Sequence, residues 1–450
     1  MPPKLAFILC TAFVAYLLKL DYHRFKEQSI TIWIPTIWIL YCASKSFGLW
    51  FNISSSRDIE SMTAAIIAGS PMDRSFLLSM IIVGLIILAR RKINWHKIFV
   101  DNRWLLLLFF YMLVSILWSD YPFVSVKRWI RASGTIVMAL VVLTGPSPLA
   151  GIESIFRRMI YILIPFSALL VKYFPEYGVQ YGRWSGEASW VGTAIGKNGL
   201  GVLCMISALV MIWTFAKSMK QTKRPSDYYE TMANVVVLGL TFWLLKGPGG
   251  AYSATSIVTL IVGIITLFTL RSMKSITKWN LILPFGLAFM LMSFLSINPV
   301  ALVASLTGRD VTLTGRADMI WSQLIPVFQE HPVIGTGYGG FWISPLSLGP
   351  KLTINQAHNG YLDILIELGI VGLILFIIVM IAFYKKAADE FKFDIEWGSF
   401  LLTFLLMSLL HNYTESTYIK STALIWNVLI MLMVACPRKI GSIPRKVINQ

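Results

Sequence analysis

Charge is scarce in this chain. Asp, Glu, Lys and Arg make up 14% of it and hydrophobic residues 56%, whereas an ordinary soluble domain carries about 25% charged residues. A single soluble core does not grow to absorb 450 residues. The low charge therefore excludes one globular water-soluble body and makes the bilayer the natural solvent. Cysteine is also scarce. Cys10, Cys42, Cys204 and Cys436 lie in or beside apolar runs and show neither a metal-binding spacing nor a disulfide framework. There is no zinc helix motif, Walker loop or paired-acid metal motif, and the series Gly335, Gly337, Gly339, Gly340 lacks the strand–turn–helix context of a dinucleotide loop. No metal and no cofactor are expected. Internal repeats and low-complexity stretches are missing as well.

What the chain does have is apolar runs separated by short basic clusters. Its net charge of +17 would suggest nucleic acid in a soluble protein. Here the Lys and Arg residues punctuate the hydrophobic segments, which is the pattern of membrane topology rather than a nucleic-acid stripe. A spanning helix needs ~20 mostly apolar residues. Candidate spans begin near Leu5, Ile30, Phe76, Trp104, Ile130, Met159, Lys197, Ala233, Thr255, Asn280, Tyr361, Gly398 and Ser421. The expected fold is all-α: a polytopic integral membrane helix bundle of about 12 to 13 transmembrane helices. The N-terminal run, which lacks a clear cleavage site, is read as a retained span.

Orientation follows from Lys and Arg. Lys19–Lys26, Arg90–Lys97, Arg157–Arg158, Lys217–Arg224, Arg271–Lys278, Lys385–Lys392 and Arg438–Lys446 are basic and fall at every second connection, so they are assigned to the cytoplasm. The intervening connections then face out. The chain divides into transmembrane helices over 1–297, a large extracytoplasmic loop over 298–360, and C-terminal transmembrane helices with a cytoplasmic tail over 361–450. In the large loop Ile320, Trp321, Leu324, Ile325 and Phe328 recur at helical spacing. This predicts a short amphipathic helix lying on the outer membrane surface, bent or limited by Pro326.

Polar residues break the pattern on the outer side. Arg128, Arg131, Arg183, Arg309 and Arg316, with Lys127 and Lys197, sit where the positive-inside rule disfavours them. Arginine binds phosphate through two parallel hydrogen bonds and stays charged, so this excess asks for an anionic partner. His358 stands where the large loop enters the next span, which predicts a helix N-terminus. A neutral imidazole there can accept a proton from a hydroxyl. Asp363 and Glu367 are four apart on one helix face, and carboxylates inside a span point to a cavity or a partner. Gly369 and Gly372 are read as close-packing positions.

Together these residues resemble the O-antigen ligase and polymerase superfamily, bacterial membrane glycosyltransferases acting on polyprenyl-diphosphate-linked glycans. Thr314-Gly-Arg316 with Trp321 resembles the start of the family's loop helix, and His331-Pro-Val-Ile-Gly-Thr-Gly-Tyr-Gly-Gly-Phe-Trp342 its glycine-rich turn. His358-Asn359 followed at full spacing by Gly369 and Gly372 fits its His-Asn signature. Gly196-Lys-Asn198 resembles its Lys-Asn element, although Ile195-Gly196 precede it where relatives more often carry His or Phe-Gly-His. Asn412-Tyr-Thr-Glu415 resembles its closing element, and Trp118-Ser119 through Pro122 with Arg128 the exopolysaccharide-polymerase branch. The similarity runs over roughly residues 110 to 420.

The resemblance implies an inverting, metal-independent enzyme. His358 would be the general base on an acceptor sugar hydroxyl. Arg183 and Arg316 would hold the donor diphosphate first, and Arg128, Arg131 and Arg309 second. Lys197, Asn198, Asn359 and Glu415 would support them. The implied partners are a polyprenyl (undecaprenyl) diphosphate-linked glycan donor, a glycan acceptor, the lipid bilayer and other polysaccharide assembly proteins, with no nucleic acid. The implied place is the bacterial inner membrane, with the active site facing the periplasm or exterior. Polymerisation of exopolysaccharide or O-antigen repeat units leads. A ligase moving finished glycan to lipid A–core or protein is the alternative. A lipid-linked glycan transporter would bring paired broken helices and internal symmetry, neither of which is legible here.

Overall fold

The computed structural model describes residues 1–51, 70–181, 186–219, 225–249, 251–273, 320–343, 346–347, 353–354 and 356–436. Among these, eight helices are long and apolar enough to cross a membrane: Pro3–Arg24, Pro71–Ala89, Trp95–Trp118, Pro148–Tyr173, Gly196–Ser218, Tyr228–Lys246, Ala254–Arg271 and Gly360–Phe393. Shorter apolar helices cover Ile30–Ala43 and Leu424–Ala435, and further helices cover Pro122–Leu143 and Ile395–Thr414. Two small antiparallel hairpins pair Val179–Tyr181 with Ala188–Trp190 and Leu346–Ser347 with Thr353–Ile354. The chain is thus an all-α multi-pass membrane protein. The expected span near Asn280 lies outside the described residues.

Proline and cap residues set the helix starts. Ser70 accepts the Met72 N–H, with Pro71 in the first turn, a position where the missing proline donor costs nothing. Asp394 accepts from the Glu396 and Trp397 N–H groups to start the helix Ile395–Thr414. Several helices begin well before the hydropathic run they contain, as with Pro148 against the expected Met159.

The chain forms two compact units. The first comprises Met1–Ile93, Gly134–Phe268 and Thr422–Pro437. Its most enclosed helices are Pro148–Tyr173 and Gly196–Ser218, each with 83% of the apolar stretch buried, whereas Pro3–Arg24 has 22% and keeps Phe7, Ile8 and Leu9 exposed. Arg157 and Arg158, expected in a basic connection, instead lie buried inside the helix Pro148–Tyr173. Arg157 meets Glu230 at 2.7 Å and Asp21 at 3.5 Å. Arg158 meets Asp21 at 2.7 Å and lies over the Trp33 ring. Ser154 donates to Asp21, and Lys217 pairs with Glu153 at 2.8 Å. Trp38 Nε1 and the Thr135 hydroxyl both donate to Asn427 Oδ1.

The second unit contains Asn94–Ser133 and Thr269–Ser421. The amphipathic helix of the large loop is present as Ser322–Glu330, with Pro326 inside it. Its Leu324 is buried with Trp342, Ala357 and Ile366, while Ile325 is exposed. The helix therefore docks on the start of Gly360–Phe393.

Candidate active site

The helix Gly360–Phe393 is two helices joined at Gly369, whose φ of 65° and ψ of −167° are non-helical. A break inside a span frees backbone groups that lipid cannot satisfy. The glycine-rich turn fills it. Thr336 N–H donates to Ile366 O at 2.8 Å and Gly337 N–H to Glu367 O at 2.9 Å. Ile370 and Val371 N–H donate to Pro332 O and Val333 O, and the Tyr111 hydroxyl donates to Leu368 O at 3.0 Å. A Cβ on Gly369 would stand 2.3 Å from Val333 O. Gly369 was expected only to let a neighbouring helix approach. It does more, because the left-handed backbone it adopts is what opens the helix. These freed groups are bonded by protein.

The same turn ties down three expected polar positions. Gly339 N–H donates to Glu367 Oε2 at 2.8 Å, and Arg128 Nη1 donates to Gly339 O at 2.7 Å. Tyr338 N–H donates to Ser115 Oγ, and Ser119 and Ser125 share a hydroxyl bond at 2.9 Å beneath Gly340. Burial raises the Tyr338 hydroxyl well above its ordinary pKa; Glu367 adds to this, while Arg128 and Arg131 oppose it. Tyr338 therefore keeps its proton and donates to Ile419 O at 3.0 Å. The serine–arginine element, the glycine turn and the His-Asn helix pack into one body.

His358 is not the first residue of its helix. Asn359 is the cap, accepting the Tyr361 and Leu362 N–H groups, and the helix begins at Gly360. His358 precedes the cap in a left-handed backbone with φ 51°, a conformation that costs a β-carbon residue about 1–2 kcal/mol. The surroundings enforce it from both sides. Trp321 Nε1 donates to Ala357 O at 2.9 Å and Asp363 Oδ1 accepts Ala357 N–H at 3.0 Å. Ser416 Oγ accepts Asn359 N–H, and Glu415 O accepts Gly360 N–H, each at 3.0 Å. Strain held this firmly is characteristic of functional positions. The imidazole is 24% exposed, with Nδ1 3.7 Å from Glu415 Oε2, a distance that a small ring rotation converts to a hydrogen bond.

The remaining expected residues are spread more widely. Arg131 is half-buried on the helix Pro122–Leu143, one turn from Arg128, and forms no ion pair among the described residues. Lys197 is exposed and Asn198 half-buried in the first turn of Gly196–Ser218, in the first unit. Arg183, Arg309 and Arg316 lie outside the described residues. Sequence reading missed Gln356, Ser416 and Lys420, all in contact with the His358 segment or its neighbours. It also missed Lys45, a buried lysine whose Nζ donates to Tyr177 O at 2.5 Å and Gly192 O at 3.1 Å, at the base of the hairpin of Val179–Tyr181 and Ala188–Trp190.

The described residues form a multi-pass helical membrane protein with a strained histidine beside a carboxylate. The comparisons report what the chain is similar to. Residues 231–377 match the family described as O-antigen ligase. The chain is 24% identical over 331 residues to the exopolysaccharide production protein ExoQ of Rhizobium meliloti (strain 1021), covering 67% of this chain and 68% of that one. Both matches bear out the resemblance to the O-antigen ligase and polymerase superfamily, and they support a role of that type in exopolysaccharide or O-antigen assembly.

Proposed function

We propose that the chain is a lipid-linked-glycan glycosyltransferase that polymerises exopolysaccharide or O-antigen repeat units on the outer face of the bacterial inner membrane. The observation that carries the reading is the enforced left-handed setting of His358 with Glu415 on its Nδ1 side. Glu415 accepts a hydrogen bond from Nδ1–H, which holds the neutral tautomer and leaves Nε2 to act as the base. Nε2 removes the proton from the acceptor hydroxyl as that oxygen attacks the anomeric carbon. The bond from that carbon to the polyprenyl diphosphate oxygen breaks, its electron pair leaves with the diphosphate, and the anomeric configuration inverts. Fixed arginines stabilise the charge that develops on the leaving group. Of the two described arginines, Arg131 is the better candidate, since Arg128 already holds Gly339. By resemblance Arg183 and Arg316 are the first choices for the clamp and Arg309 a second, with Lys197, Asn198 and Asn359 in supporting roles. The proposed boundaries place the loop 298–360 outside.

The similarity to an exopolysaccharide production protein supports exopolysaccharide as the product, and the O-antigen ligase family description supports a ligase as the alternative. Glycan profiling of a deletion strain separates polymerase from ligase. Loss of long chains with single capped units remaining identifies a polymerase. Full-length glycan accumulating on its polyprenyl carrier identifies a ligase. Unchanged glycans with normal chain length would sink both.

A further inference from the structure

Lys420 lies on the connection after Ile395–Thr414, and neither the motifs nor the comparisons give it a role. Its Nζ is 3.1 Å from Gln356 Oε1 and 3.1 Å from Asp363 Oδ2. Asp363 is fully buried, and its other oxygen accepts the Ala357 N–H. Gln356 and Ala357 immediately precede His358, so one ammonium reaches the histidine segment through two routes. A lysine ammonium has donors only, so it must face the amide oxygen of Gln356. That turns Gln356 Nε2 toward the imidazole, 3.3 Å from Nδ1 and 3.4 Å from Nε2. Asp363 offsets the charge of Lys420, which argues against a diphosphate clamp. Without Lys420, the Asp363 carboxylate would be buried without its counter-ion, and the Gln356 amide would be free to turn over.

We propose that Lys420 is a positioning residue for His358, acting through the Gln356 side chain and the Asp363 carboxylate. The inference rests on the reading of His358 as the base. Lys420 sets the approach of the imidazole to the acceptor and does not touch the donor.

The test uses the full chain in liposomes with a polyprenyl-diphosphate-linked repeat unit as donor. Lys420→Met and Gln356→Leu each lower kcat by about tenfold to a hundredfold, the range for a misplaced catalytic group. The KM for donor stays within about twofold, and Lys420→Arg recovers most of the rate. The double variant is no slower than the slower single variant, because both changes remove the same contact. Multiplying losses, or a raised donor KM with kcat intact, overturns the proposal. A second readout needs no turnover: modification of His358 by diethyl pyrocarbonate, followed by mass spectrometry. Lys420→Met changes that rate severalfold, while exposed His23 and His96 react as before. An unchanged His358 rate overturns the positioning role even in a preparation without transfer activity. Absence of transfer by the wild-type chain with a changed His358 rate would instead fault the proposed reaction.

Discussion

The ions around Arg157 and those around His358 are held in different ways. Arg157, Arg158, Asp21 and Glu153 are buried side chains on helices, and each bonds a partner on another helix. Trp33 and Tyr161 cover the guanidinium faces. Around His358 the groups hang from loops and helix ends, the backbone is strained, and the imidazole and Lys420 remain partly open at 24% and 28%. Charges paired across rigid helices hold the bundle together, and removing one leaves its partner buried and unmatched. Charges gathered around a strained, accessible group are the arrangement the proposed reaction needs.

The largest effect that could break this contrast is expected at His358. Removing a positioned base costs about a hundred- to ten-thousand-fold in rate, so His358→Ala should abolish glycan transfer while protein level and melting temperature stay near wild type. Near-normal turnover by the purified variant would return His358 to a packing role. Asp21→Ala should do the opposite. Truncating one partner of a buried pair costs about 3–5 kcal/mol, so thermal stability and abundance should fall, while the surviving molecules keep their specific activity. A stable Asp21→Ala protein with slow turnover would mean that the Arg157 cluster takes part in the reaction.

The motif residues were legible in the sequence, but their mechanics were not. Ser119, Arg128, the glycine turn, His358, Asn359 and Glu415 were picked out and do gather in one unit. Hydropathy counts apolar side chains and carries no φ, so the opening at Gly369 was invisible to it. Lys420 was not singled out, because its partner Asp363 is 57 residues away in sequence and no motif links the two. Arg157 and Arg158 looked like a connection because a window method penalises charge without seeing Asp21 and Glu230. The helix starts were late for a related reason. Pro71, Pro122, Pro148 and Pro225 open their helices and marked the starts better than the apolar runs did.

Gly369→Ala gives an intermediate effect and tests whether the opened helix belongs to the site. The backbone at Gly369 lies in an essentially glycine-only region that costs a β-carbon about 1–3 kcal/mol, and the contact with Val333 O adds to it. The melting temperature should fall modestly and transfer should fall further, because the turn that carries Gly339 and Tyr338 must shift. Loss of stability with full specific activity would separate the glycine turn from catalysis.

The smallest effect concerns Lys45, which matches neither pattern: it is buried, but backbone carbonyls hold it rather than a carboxylate. Burial lowers its ammonium from 10.5 to about 8. Below that value the folded and unfolded chains both carry the proton, and the cost of the buried charge is constant. Between about pH 8 and the ordinary lysine value, the unfolded chain keeps a proton that the folded chain has released. Stability contributed at this site therefore rises with pH through that window, by at most about 1.4 kcal/mol per unit. The neutral amine still donates hydrogen bonds, so the contacts to Tyr177 O and Gly192 O can persist. Lys45→Met removes the titration. Wild-type and variant stabilities measured from pH 7 to 9.5 should differ by an amount that grows in favour of wild type above pH 8. A difference that stays flat, or moves the other way, would show that the hairpin base holds a fully charged lysine, and would align Lys45 with the permanently ionised residues around Arg157.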